Sequence, residues 1–273
     1  MSARGAMMQD LEDMMGGAES MMGGAGDRMP GGTPQKRLRI RYAKGEPLKF
    51  ISHLDLSRGW ERAFRRAGLP VAYSQGFNPR PRFQMAAALP VGVTGRAELL
   101  DLWLTEPMSP EEVLSRLRPV LPAGLEALDA EVVDLREPSL QSVMNAADYR
   151  VVVGSQETTA AIRTRLQSML EAQTIPRQRL HKGKVQSYDL RPLIQSVAVE
   201  PGQVGEQVVT MRLQASPEGA GRPDEVLEAL GLSLGMHTME RTNLCFEFDK
   251  QPGDGIIACR KDSGGDLLDP TAC

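Results

Sequence analysis

The run Gln75-Gly76-Phe77-Asn78-Pro79-Arg80-Pro81-Arg82 sets an aromatic ring, an amide and two guanidinium groups among one glycine and two prolines. Gly76 permits a left-handed turn or a close backbone approach, and Pro79 and Pro81 stiffen the arm that holds Arg80 and Arg82. Such an arm suits single-stranded RNA, where bases stack on aromatic rings and guanidinium groups clamp phosphates. The other reading is a structural turn with Phe77 tucked into the core. Upstream, Arg58, Arg62, Arg65 and Arg66 recur at helical spacing. Such a row fits a solvated face as readily as a polyanion surface. A second basic stretch, Arg177-Gln178-Arg179-Leu180-His181-Lys182-Gly183-Lys184, reads as hairpin-like, with Lys182 and Lys184 placed for phosphate contact.

With three histidines in the chain, acid–base chemistry has few candidates. His53 lies between Ser52 and Asp55 and points toward the apolar side of a helix. It is either a satisfied, half-buried histidine or a general acid or base. His181 sits in the basic stretch and suits phosphate contact rather than proton transfer. His237 follows Gly231-Leu232-Ser233-Leu234-Gly235-Met236, which is no nucleotide-binding loop. In Tyr188-Asp189-Leu190-Arg191 the acid and the arginine share a face of a regular strand, so a bidentate pair is expected. That pair is either structural or a device that holds Arg191 toward a ligand phosphate. The carboxylates show no metal pattern and nothing calls for a cofactor. Cys245, Cys259 and Cys273 form neither a disulfide framework nor a metal-ligand spacing.

These residues need elements to hold them. Lys36 to Ala43 alternates, with Leu38, Ile40 and Tyr42 to one side and Arg37, Arg39 and Arg41 to the other, which predicts a half-buried strand with a cationic outer face. Ser52 and Asp55 open a helix in the manner of a capping box, and Gly68 and Pro70 close it. Leu56, Trp60, Ala63, Phe64 and Ala67 form its apolar side. A short strand over 71–74 leads into the arm, 83–89 is extended, and 98–104 is a strand with Leu100, Leu102 and Leu104 inward. A second helix starts at Ser109-Pro110-Glu111-Glu112, and 125–135 returns as a strand. The order strand, helix, strand, strand, helix, strand is the split βαβ plan. The second half repeats it: strand 149–153, helix 158–170, strands 184–190, 195–199 and 208–214, helix 223–230, strand 241–248. The predicted fold is α+β, two tandem ferredoxin-like modules over 36–140 and 141–250. A disordered Met/Gly-rich tail over 1–35 and a flexible tail over 251–273 flank them. Met29 is an alternative start.

Charge is segregated in step with this plan. Residues 36–82 hold 12 Lys/Arg against 3 Asp/Glu in a chain of net charge −3, and residues 149–191 hold 8 against 3. Each half begins cationic and ends anionic, as expected if both lay their opening elements along one groove. No apolar run is long enough to span a bilayer, and the N-terminus lacks a signal-peptide pattern, so a cytoplasmic location is expected.

The segments FISHLDL (50–56), RAGLPVAYSQGFNPRPR (66–82) and YDLRPLI (188–194) resemble the radical SAM-linked family, bacterial domains found beside or fused to radical SAM proteins. The resemblance spans roughly 36–248 and departs at Phe83-Gln84-Met85-Ala86-Ala87-Ala88, where relatives are richer in Gly and Pro. It implies a radical SAM protein as partner. The three scattered cysteines cannot hold an iron–sulfur cluster by themselves, so radical chemistry would belong to that partner. The tandem plan is also similar, in fold only, to the Cas6-type CRISPR RNA endonucleases.

Three functions follow. The first is a non-enzymatic RNA-binding or substrate-presenting module for a radical SAM enzyme, with Arg58, Arg62, Arg65, Arg80, Arg82, Lys182, Lys184 and Arg191 toward phosphate and Phe77 and Asn78 at the base. The second is a metal-independent ribonuclease using His53. The third is a protein-only adaptor for an acidic partner.

Overall fold

The computed structural model describes residues 32–75, 77–181, 183–232 and 237–247. The tail expected at the N-terminus up to residue 31, the tail expected over 251–273, Gly76 and Lys182 lie outside them. No helix among the described residues is long and apolar enough to cross a membrane.

The fold is α+β, carried by one nine-stranded mixed sheet and a separate two-stranded hairpin. Strand β1 (Lys36–Lys44) leads to helix α1 (His53–Arg66), short strand β2 (Phe83–Met85), long strand β3 (Val93–Leu104), helix α2 (Pro110–Leu117) and strand β4 (Leu125–Val133). These strands lie in the order β4-β1-β3-β2, each antiparallel to its neighbour. A four-residue helix, α3 (Leu140–Val143), opens the second half. There follow β5 (Met144–Gly154), α4 (Thr159–Glu171), the hairpin β6 (Pro176–His181) and β7 (Lys184–Asp189), β8 (Ile194–Pro201), β9 (Glu206–Ser216), the two-residue β10 (Gly219–Ala220), α5 (Pro223–Ala229) and β11 (His237–Phe246). Leaving the hairpin aside, this half has the order β11-β5-β9-β8, again antiparallel throughout. Each half is therefore a ferredoxin-like unit. They join where β11 runs parallel to β3, Met239 to Arg241 beside Val93 to Gly95.

Helix α1 has the ends its sequence calls for. Ser52 Oγ accepts the Asp55 amide at 3.2 Å. At the other end Gly68 has φ 61°. The Gly68 amide donates to Arg65 O at 3.1 Å and the Leu69 amide to Phe64 O at 3.2 Å. That is a Schellman stop, and only glycine adopts that φ without strain. Leu56, Trp60, Ala63 and Phe64 are buried. Trp60 stacks on Phe64 and meets Tyr42 of β1 edge-on, while Phe64 meets Phe83 edge-on at 5.3 Å. This aromatic column fixes α1 to β1 at one end and to β2 at the other.

The outer face of β1 is not a free cationic surface. Arg37 and Arg39 are each 2 % exposed and share Asp101, which sits directly across from Arg39 on β3. Arg37 also donates to Glu137 O at 2.6 Å and Pro138 O at 3.0 Å, because the segment before α3 folds over this face. Arg41 pairs with Asp129, its cross-strand neighbour on β4. Much of the expected charge segregation is thus strand-to-strand neutralisation. The strand expected over 71–74 is reduced to two isolated bridges, Val71 with Leu104 and Tyr73 with Pro81.

Candidate nucleic-acid interface

The arm between α1 and β2 has a neck made by backbone groups. The Ala72 amide donates to Trp103 O at 2.8 Å, the Arg82 amide to Ala72 O at 2.6 Å, and the Trp103 amide to Arg82 O at 3.1 Å. Higher up, the Ser74 amide donates to Arg80 O at 2.9 Å and the Arg80 amide to Ser74 Oγ at 3.0 Å. These bonds close a tip that presents Phe77, Asn78 and Pro79. Phe77 is fully exposed on it, and Asn78, Pro79 and Arg80 are exposed too. The core-turn reading of Phe77 is thereby set aside. The Arg82 guanidinium lies 4.8 Å from the Trp103 ring centroid, stacked at the base of the neck. Its side chain is held in place yet the residue stays exposed.

The Phe64–Phe83 contact brings the C-terminal half of α1 against the arm's base. Arg65 and Arg66 are exposed there, Arg62 is half-buried, and Arg58 is exposed but paired with Asp55 at 3.3 Å. Among the described residues Arg62, Arg65, Arg66, Arg80 and Arg82 have no carboxylate partner. Arg80 and Arg82 share the arm with the bare Phe77 ring, whereas Arg62, Arg65 and Arg66 belong to α1, which packs on the face of β3 opposite the one that carries Trp103 and Arg82.

Hairpin β6–β7 carries the second basic stretch. Gly183, with φ 77°, makes its turn, and the side chains of His181 and Lys184 are not described. Arg177 and Arg179 are half-buried, each with an Nε that finds no acceptor. Arg179 lies 5.2 Å over the Tyr188 ring, and the Tyr188 hydroxyl donates to Glu225 of α5. Burial raises the Glu225 pKa, with Arg179 and Arg177 pulling against it.

Asp189 and Arg191 do not make the expected bidentate pair. One Asp189 oxygen accepts two backbone amides, from Ile175 at 2.7 Å and Arg191 at 3.0 Å. The Arg191 guanidinium donates instead to Leu170 O at 3.1 Å and Ile194 O at 3.4 Å. The strand ends at Asp189 and a 3-10 turn begins, so the alternation behind that expectation stops one residue too early. Arg191 thereby ties α4 to β8.

His53 opens α1, at the opposite end from the arm. At 1.5 Å per residue, thirteen steps put it about 20 Å away. Its Nδ1 is buried without a partner, and burial, followed by the charge on Arg241, lowers its pKa. Sequence reasoning missed what lies behind it. Arg241 of β11 chelates both oxygens of Glu98 on β3, with Nε at 2.7 Å, and donates to Ala88 O at 3.1 Å. Lys44, 1 % exposed, donates to the Lys49 and Val93 carbonyls at 3.3 Å each. Burial lowers the Lys44 pKa, with Glu98 opposing. This cluster fastens the two halves. Its only signal in the sequence is charge at strand positions that otherwise read as apolar, and none of those residues marks its partner. Among the described residues no His, Cys, Asp or Glu group could hold a metal.

The family described as an uncharacterized protein conserved in bacteria (DUF2344) matches residues 37–223. The chain belongs to this family. The DUF2344 match takes in α1, the arm and hairpin β6–β7, and ends before β11, which supplies Arg241. Comparison with curated proteins returns no match. Among solved structures, a Cbf5-Nop10-Gar1 complex is similar at 10 % identity and a TM-score of 0.43, over 76 % of this chain and 48 % of that one. An H/ACA RNP bound to a substrate RNA containing 2'-deoxyuridine is similar at 10 % identity and a TM-score of 0.39, over 81 % and 53 %. The DUF2344 chain thus spans about half the length of those chains, and likenesses this distant carry no functional argument.

Proposed function

We propose that this DUF2344 protein binds single-stranded RNA, or the unpaired segment of a folded RNA, at the arm between α1 and β2. The observation that carries the reading is Phe77. A phenylalanine ring has no polar edge to gain from water, yet this one is wholly exposed on a loop whose neck is closed by five backbone amides. Stacking an unpaired base on such a ring is worth about 1–3 kcal/mol. On the same arm Arg80 and Arg82 lack carboxylate partners and are free to meet phosphates, as are Arg62, Arg65 and Arg66 of α1. The binding role is read as non-enzymatic, with His53 at the end of α1 far from the arm. The radical SAM enzyme implied by the sequence resemblance fits as the partner that acts on RNA held here.

Fluorescence anisotropy with a labelled oligouridylate tests the reading. Affinity is expected to fall linearly in log–log form with salt, and Arg80→Ala with Arg82→Ala to flatten the slope by about 1.4. Phe77→Ala is expected to weaken binding about 5- to 150-fold at constant slope. No binding, or binding indifferent to salt, overturns the proposal.

A further inference from the structure

We infer that hairpin β6–β7 is a second subsite for the same RNA strand, so that one single-stranded RNA spans the arm and the hairpin together. This rests on the RNA-binding reading above and adds the length and path of the ligand.

The inference starts from topology. The arm occupies the connection from α1 to β2, and the hairpin occupies the connection from α4 to β8. In the repeated plan these are the same slot, the link from first helix to second strand. The halves also stand the same way up. β1 is antiparallel to β3, β5 is antiparallel to β11, and β11 is parallel to β3, so β1 and β5 point in one direction. Helices α1 and α4 each run back toward the starting end of those strands. Both cationic insertions therefore leave from the same end of the sheet. β2 lies against the edge of β3 that β11 also borders, and β11, β5 and β9 separate it from β8. At about 4.8 Å per strand the two stems are roughly 15–20 Å apart.

The hairpin's chemistry matches. Arg177 and Arg179 have no ion pair among the described residues, and each Nε lacks an acceptor. Arg179 is stacked on Tyr188, which Glu225 holds by its hydroxyl, so its guanidinium is fixed in place before any ligand arrives. Gln178, Gln186 and Ser187 are exposed along the same ribbon and offer donors and acceptors for sugar or base edges. A stacked strand advances about 3.4 Å per nucleotide, so about five nucleotides bridge the gap.

Oligouridylates of about 2 and about 12 nucleotides separate the subsites, because even fully extended the shorter one cannot reach both. The wild-type chain is expected to bind the longer oligomer at least tenfold more tightly than the shorter, the second contact being intramolecular. Arg177→Gln with Arg179→Gln is expected to remove that advantage and leave affinity for the short oligomer unchanged. Unchanged short-oligomer binding also shows that the variant is folded. As a second readout, photo-crosslinking of one 4-thiouridine-substituted long oligomer should label peptides from both insertions. A double variant that retains the length advantage overturns the inference. So do crosslinks confined to the arm. Failure of every oligomer to bind the wild-type chain instead overturns RNA binding itself.

Discussion

At the scale of single residues, a histidine's neighbours decide its role more than its place in a motif. His53 sits at the first position of α1, where burial and the Arg241 charge both disfavour the imidazolium. Its folded-state pKa therefore lies below the ordinary value of about 6.5 that the unfolded chain keeps. Between those two values the unfolded chain binds more protons, so stability falls as pH drops below about 6.5 and gains nothing from His53 above it. Urea unfolding from pH 5 to 7.5 should show that slope, and His53→Gln should flatten it. An identical slope in the variant would mean that the imidazole titrates normally. The same scale explains what could be read from β1. The alternation of Leu38, Ile40 and Tyr42 was legible, and all three are buried. The fate of Arg37 and Arg39 was not, because their partners Asp101 and Glu137 lie more than 60 residues on. Alternation reports two faces of a strand but not what later chain covers the second face.

At the scale of elements, legibility followed length and chemical punctuation. Helix α1 could be placed from Ser52 and Gly68 because capping needs those residue types at those positions. Strand β2, with three residues, helix α3, with four, and strand β10, with two, are too short to show a period. The composition of the arm pointed to stiffness and exposure, but its closure depends on a residue the sequence did not single out. Ser74 Oγ accepts the Arg80 amide, and that bond with its backbone companion forms the upper neck. Ser74→Ala removes one hydrogen bond worth about 0.5–1.5 kcal/mol, which acts on the arm rather than on the core. Amide exchange at Arg80 should quicken about 2- to 10-fold while the global unfolding midpoint stays in place. Oligouridylate affinity should fall by a similar factor, since a looser arm must be ordered on binding. Faster exchange with unchanged affinity would mean that preorganisation of the tip plays no part.

At the scale of the whole molecule, the repeat was legible and the join was not. Each half could be traced from the order of strands and helices, but the parallel contact between β11 and β3 links residues about 146 apart and leaves no pattern in either. That contact is short, and its polar reinforcement is concentrated in Arg241, bound to Glu98 and to the Ala87 and Ala88 carbonyls. Burial alone would disfavour the Arg241 charge, but Glu98 more than offsets it and the guanidinium stays protonated. Arg241→Met leaves Glu98 buried and uncompensated, at a cost of about 3–5 kcal/mol. Adding Glu98→Leu should recover most of that loss, because an apolar pair of similar volume replaces a buried ion pair at little expense. The single variant separates two roles for the seam. If the seam makes the halves unfold together, denaturation should change from one transition to two, with slopes that sum to the wild-type value. If it also sets the spacing of the arm and the hairpin, the advantage of a long oligouridylate over a short one should shrink while short-oligomer affinity persists. The Arg241→Met and Glu98→Leu double variant should then regain both properties together. Recovery of cooperative unfolding without recovery of the length advantage would show that the ion pair positions the insertions by a route other than holding the halves in register.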